Sequence, residues 1–229
     1  MTPQNYFPFL VFLLGWFTSS AQINHVEVIG HQQGGFNIPL ANDAHFGQAI
    51  ANIGDLDNDG IPDLGIGALY QDSITPTQYE RLGTFFINLM KADGTVKRTL
   101  NLTDTLFKYV FQGPEDLGTT GRHGYSLEGI GDINSDGVPD LALGFPDYET
   151  NLQYKDAGGV LILLMAADGA IKGHNWLDKT DFPSLQRDDR FGHAITALGD
   201  INQDGYQEIA ISAPRHEVAE QYYGAVWNV

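Results

Sequence analysis

The chain has 229 residues, of which 42% are apolar, enough for a packed core and too many for a compositionally disordered chain. A net charge of −17 disfavours nucleic acid and anionic membrane surfaces as partners, since both are held through basic patches. With no cysteine, a disulfide framework, a zinc–thiolate site and a cysteine nucleophile are excluded.

At the N-terminus, Phe7–Phe17 is an uninterrupted apolar run followed by the small residues Ser19-Ser20-Ala21. That pattern predicts an export signal over residues 1–21, cut after Ala21, with 22–229 as the mature extracellular part. The run is too short to span a bilayer, and no later segment is apolar enough to do so. The first six residues carry no Lys or Arg, a departure from the usual basic start of such signals.

Beyond it the sequence repeats. Phe46-Gly47 to Gly54, His123-Gly124 to Gly131 and Phe191-Gly192 to Gly199 are strand-like runs, each ending on an apolar-Gly pair. An acidic loop follows each one: Asp55 to Asp63, Asp132 to Asp140 and Asp200 to Glu208. Next come Leu64-Gly-Ile66-Gly-Ala68, Leu141-Ala-Leu143-Gly144 and Ile209-Ala-Ile211-Ser-Ala213. Period-two alternation predicts strands, and here the second face is small rather than polar, as suits a strand between closely stacked sheets. Third strands are expected at Gly83–Met90 and Gly158–Met165, with Gly224–Val229 beginning another. Ala92-Asp93-Gly94 and Ala167-Asp168-Gly169 then predict hairpin turns, because Asp-Gly tolerates the positive φ that tight turns need. Fourth strands should follow at Val96–Leu102 and Ile171–Trp176.

Four-stranded antiparallel units repeated along one chain predict an all-β fold, a partial β-propeller with repeats at about 46–115, 123–180 and 191–229, the last incomplete. His25–Gly30 is expected as an outer strand of a preceding blade. Under three full blades cannot close a ring, so the chain is expected to continue into further blades or a larger assembly.

Within each acidic loop oxygen-bearing side chains fall at positions 1, 3, 5 and 9, with glycine at 6. This is the donor pattern of a hard cation, and position 7 is placed to add a backbone carbonyl. The candidate ligands are Asp55, Asp57, Asp59, Asp63 and the carbonyl of Ile61; Asp132, Asn134, Asp136, Asp140 and the carbonyl of Val138; and Asp200, Asn202, Asp204, Glu208 and the carbonyl of Tyr206. Oxygen donors without His or Cys select Ca2+ over zinc or copper, up to three ions per chain. An EF-hand would need Glu at position 12 and flanking helices, but Ile66, Leu143 and Ile211 stand there in strand-like runs.

Phe46-Gly47 to Ala68, echoed from 123 and from 191, resembles the FG-GAP repeat of integrin α-subunit propellers and of secreted bacterial FG-GAP proteins. Phe191-Gly192 and Ser212-Ala213-Pro214 carry the likeness furthest, and it covers roughly residues 25–229. It implies a seven-bladed propeller, Ca2+ in the loops between first and second strands, and ligand binding on the opposite face. His123 for Phe and Glu208 for Asp depart from the pattern.

No nucleophile elbow, phosphate loop, dinucleotide fingerprint or zinc-protease motif occurs, so the chain is read as non-catalytic. His123 and His193 lie within repeat strands and are read as packed or rim residues. Loops Gln71–Leu82, Tyr148–Ala157 and His216–Tyr223, with inter-blade segments 31–45, 103–122 and 180–190, form the candidate surface for a protein or glycan ligand. Tyr79, Tyr148, Tyr154, Tyr222 and Tyr223 are its candidate contacts or, equally, loop packing. Asn101-Leu-Thr103 is a glycosylation sequon. The sequence thus supports a secreted calcium-binding adhesion or ligand-binding propeller, or alternatively the accessory propeller of a larger secreted hydrolase or lyase.

Overall fold

The computed structural model describes residues 25–70, 83–102, 124–149 and 154–229. The export signal, Tyr79 with loop 71–82, segment 103–122, His123 and Thr103 of the sequon lie outside the described residues. Among the described residues the chain is all β, with no α-helix.

Strands β1 (Phe46–Asn52), β2 (Leu64–Ala68), β3 (Thr84–Met90) and β4 (Val96–Asn101) form one antiparallel sheet in sequential order. β5 (Ser126–Gly131), β6 (Asp140–Phe145), β7 (Gly159–Met165) and β8 (Ile171–Leu177) repeat it. In the third repeat β10 (Glu208–Ala213) lies between β9 (Ile195–Gly199) and β13 (Ala225–Asn228). A small hairpin of β11 (Glu217–Val218) and β12 (Gln221–Tyr222) interrupts the loop leading to β13. These are two complete blades and a three-stranded part of another, the partial propeller expected from the repeat.

The blades stack face to face. One core joins Phe85, Ile87 and Leu89 of the first sheet to Leu127, Leu141, Leu143 and Leu161 of the second. A second core joins Ala142, Val160 and Ile162 to Phe191, Ile209 and Ile211 of the third. Each fully buried Leu, Ile or Phe contributes about 1.5–3 kcal/mol. The small face of the second strand is what lets the sheets approach. A Cβ on Gly67 would sit 2.3 Å from the Gly124 carbonyl, and one on Gly144 would sit 2.0 Å from the Gly192 carbonyl.

Two local expectations are corrected, and the Asp-Gly hairpins form where expected. His25–Gly30 is not a strand, and only an isolated bridge joins Gly30 to Gln33. The segment turns back instead and seats Phe36, fully buried, against Phe46 (4.8 Å) and Phe86 (5.2 Å), while Val96 N donates to the Gly34 carbonyl at 2.7 Å. It thereby caps the outer face of the first blade through side-chain packing rather than by adding a strand. At the Asp-Gly turns only the glycine has positive φ (Gly94 82°, Gly169 82°); Asp93 and Asp168 do not. Gly94 N donates to the Lys91 carbonyl and Lys91 N to the Thr95 carbonyl, so the expected hairpin is a three-residue loop closed by a bulge. The third repeat's first strand begins at Ile195, not Phe191. Gly192 has φ 86° and its amide donates to the Ser212 carbonyl at 3.1 Å, while the buried Phe191 ring packs edge-on to Trp227 at 5.5 Å.

Candidate metal centres

The three acidic loops sit at the same end of their sheets, between the first and second strands, and share their hydrogen bonds at positions 1 and 5. At position 1 both carboxylate oxygens are used. Asp55 accepts from Asp59 N (3.0 Å) and Gly60 N (2.7 Å). Asp132 accepts from Asp136 N (3.0 Å) and Gly137 N (2.7 Å), and Asp200 from Asp204 N (3.1 Å) and Gly205 N (2.9 Å). At position 5, Oδ1 of Asp59, Asp136 and Asp204 accepts the amide of Ile61, Val138 and Tyr206, respectively. The asparagines at position 3 add a bond: Oδ1 of Asn134 accepts Asp136 N at 2.9 Å and that of Asn202 accepts Asp204 N at 2.8 Å. Nothing lies within 4 Å of a Cβ built on Gly60, so space does not demand glycine there; its φ of 88° does.

The ninth position clamps the loop to the blade. Asp63 Oδ2 accepts Leu56 N (2.8 Å) and Oδ1 accepts Met90 N (2.8 Å). Asp140 does the same with Ile133 N (3.1 Å) and Met165 N (2.8 Å). These carboxylates tie the loop's start to the end of the third strand. Burial pushes both carboxyls up, against the stabilising pull of those two amides. Glu208 keeps the first of the bonds, its Oε2 accepting Ile201 N at 2.7 Å, so the longer side chain fills the aspartate's place.

Not every candidate converges. Carboxylate oxygens of Asp55, Asp57 and Asp63 lie within 4.8 Å of one another, as do those of Asp200, Asp204 and Glu208. Asp59 stands outside the first group, with Oδ2 turned to Lys97 Nζ. In the second loop the carboxylates of Asp132, Asp136 and Asp140 do not close to that spacing; Asn134 brings an amide oxygen where the first loop has Asp57, and Asp136 Oδ2 is held by Lys172. Lys97 bridges Asp57 (2.8 Å) and Asp59 (2.7 Å), and those bonds raise the ammonium above its ordinary range. The hydrogen bonds from Lys97 and Lys172 hold the Asp59 and Asp136 carboxyls low.

The donor set fits a divalent hard cation on one further observation. Asp57 Oδ1 is buried and has no hydrogen-bond partner among the described residues. A buried carboxylate oxygen without a donor is costly unless an ion claims it.

The opposite end of the sheets carries the candidate ligand face. Tyr148 packs onto its blade: its ring stacks on Trp176 at 4.3 Å and 11°, and burial pushes its hydroxyl up to about 12. Tyr154 lies under the Lys179 ammonium at 4.8 Å, whereas Tyr222 and Tyr223 are 68% and 75% exposed. A cavity of 370 Å³ is lined by Asp188, Arg215 and Tyr222. Beneath it Asp189, fully buried, pairs through Oδ2 with His216 Nδ1 at 2.8 Å and accepts Gln186 N at 2.8 Å. His193 packs beside Tyr125 at 4.9 Å, and burial lowers its pKa, as a packed histidine requires. Sequence reading missed Asp189 and the two lysines. A signal for the lysines was present, since Val96-Lys97 and Ile171-Lys172 stand at matching places after their turns.

A blade of four antiparallel strands with an acidic loop between its first two defines a propeller repeat. Residues 191–229 match the family model described as FG-GAP repeat. The chain is 33% identical over 118 residues to integrin alpha-8 of Gallus gallus, covering 50% of this chain and 10% of that protein. It is 29% identical over 178 residues to integrin alpha pat-2 of Caenorhabditis elegans (70% and 12%) and 29% over 161 residues to integrin alpha-6 of Homo sapiens (70% and 13%). Residues 191–229 thus carry the FG-GAP repeat, and the relatives named are integrin α-subunits, of whose length the chain spans about a tenth.

Proposed function

We propose that the chain is part of a secreted, Ca2+-stabilised FG-GAP propeller that binds an extracellular protein or glycan, without catalysis. Residues 1–21 serve as its export signal and 22–229 as the propeller segment, continuing into further blades or a larger assembly. The observation that carries the calcium reading is the orphaned, buried Asp57 Oδ1 within a loop whose hydrogen-bond pattern recurs twice more.

In the first site Asp55, Asp57, Asp59, Asp63 and the Ile61 carbonyl would hold the ion. Asp132, Asn134, Asp136, Asp140 and the Val138 carbonyl would hold a second, and Asp200, Asn202, Asp204, Glu208 and the Tyr206 carbonyl a third. Bound calcium supplies positive charge to carboxylates that otherwise repel one another. The chain's own part is to hold the loop ready: position 1 folds it over the backbone amides, and Asp63 and Asp140 fasten it to the third strand. Recognition belongs to the other end, where Tyr222 and Tyr223 are exposed beside the cavity of Asp188 and Arg215. That these relatives are integrin α-subunits supports an adhesion role over an accessory role in a larger enzyme.

A thermal melt with calcium and with excess chelator tests the reading. Calcium should raise the melting temperature by several degrees. An identical melt in both conditions would overturn the calcium reading.

A further inference from the structure

Lys97 and Lys172 are each the second residue of the strand after the Asp-Gly turn, β4 and β8. Each reaches the acidic loop of its own blade. Lys97 Nζ donates to Asp57 Oδ2 at 2.8 Å and Asp59 Oδ2 at 2.7 Å, bridging loop positions 3 and 5. Lys172 Nζ donates to Asp136 Oδ2, position 5, at 2.7 Å. Both lysine side chains are 44% exposed, so neither is fixed by packing and each can swing into water. A lysine is a compact charge on a flexible stem, suited to stand in for an ion and to yield to one. No lysine reaches the third loop among the described residues; there Asn202 Nδ2 donates to Asp204 Oδ2 (3.0 Å) and Glu208 Oε1 (2.6 Å), an uncharged link from position 3 to positions 5 and 9.

We propose that Lys97 and Lys172 are tethered counter-cations of the first two loops, Lys97 bridging two carboxylates and Lys172 neutralising one in the absence of metal, and that both lower the affinity of those loops for calcium. The inference rests on the calcium reading above. Two cations cannot share one set of carboxylates without repulsion, so the ammonium must leave, or stay and weaken the site. Repulsion between an ammonium and a divalent ion about 4 Å apart, even at the dielectric of water and with salt screening, amounts to a factor of about ten in affinity.

Calcium titration calorimetry on the full chain tests this with three proteins: the wild type, Lys97→Met/Lys172→Met, and Lys97→Arg/Lys172→Arg. Methionine keeps the stem and drops the charge; arginine keeps the charge. In the methionine variant two sites should bind calcium about tenfold more tightly, and the melting temperature in chelator should fall. The arginine variant should stay near the wild type in both respects. Unchanged or weaker affinity in the methionine variant, with a wild type that binds, overturns the lysine inference alone. Absence of calcium binding in all three proteins overturns the calcium reading and the inference with it.

Discussion

Replacing Asp140 by alanine isolates the part of the loop that is independent of metal. Asp140 is fully buried, and its two oxygens accept Met165 N at 2.8 Å and Ile133 N at 3.1 Å. Alanine leaves both amides without an acceptor. Met165 is itself fully buried, so water cannot serve its amide, whereas Ile133 is only half-buried and its amide regains part of the bond from solvent. A hydrogen bond to a charged group contributes about 1.5–3 kcal/mol, and an orphaned buried donor costs about 1–3 kcal/mol. Against this, alanine relieves the desolvation of a carboxyl that burial already pushes up. The expected loss is about 2–4 kcal/mol, and about half of that for Asp140→Asn, which keeps one acceptor but turns an amide donor toward the other N–H. Urea unfolding in excess chelator reads the difference without any contribution from metal. An Asp140→Ala midpoint equivalent to a loss below about 0.5 kcal/mol, the range of ordinary surface changes, would refute the clamp.

Other outcomes follow from the same geometry. Gly67→Ala should destabilise by about 1–3 kcal/mol, because its Cβ meets the Gly124 carbonyl at 2.3 Å across the blade interface. Gly173→Ala, whose nearest neighbour is a Leu164 methyl at 3.4 Å, should cost little in the same urea assay. His193 has its pKa lowered by burial, so the unfolded chain binds the proton more readily near pH 6. Its contribution to stability is present above the unfolded value of about 6.5 and lost as pH falls through the lowered folded value. Unfolding midpoints at several pH values should therefore show a shallower rise toward neutral pH for His193→Gln than for the wild type. Tyr222→Ala/Tyr223→Ala should abolish binding on an array of extracellular proteins and glycans with the melting temperature held within a degree or two. Loss of stability with retained binding would return these tyrosines to loop packing.

The blades were legible because each is announced more than once. Alternation in Leu64–Ala68 and Leu141–Gly144 marks the second strands, and the glycines there mark the tight stacking now seen against Gly124 and Gly192. The acidic loops were legible for the same reason, since three copies share one spacing and each stands between a first and a second strand. What escaped depends on contacts between distant residues. Val26 and Val28 have strand-forming side chains, yet they remain unpaired in a segment that packs through Phe36 instead. Asp63 and Asp140 read as ligands, while their bonds to Met90 and Met165 lie more than twenty residues away along the chain. The Asp189–His216 pair joins two loops with no repeat pattern between them.

Calcium stoichiometry is the most direct test of the central claim that these loops are cation sites. Calorimetric titration of the full chain, freed of metal beforehand, should give between two and three ions per chain. A value well below two would contradict it.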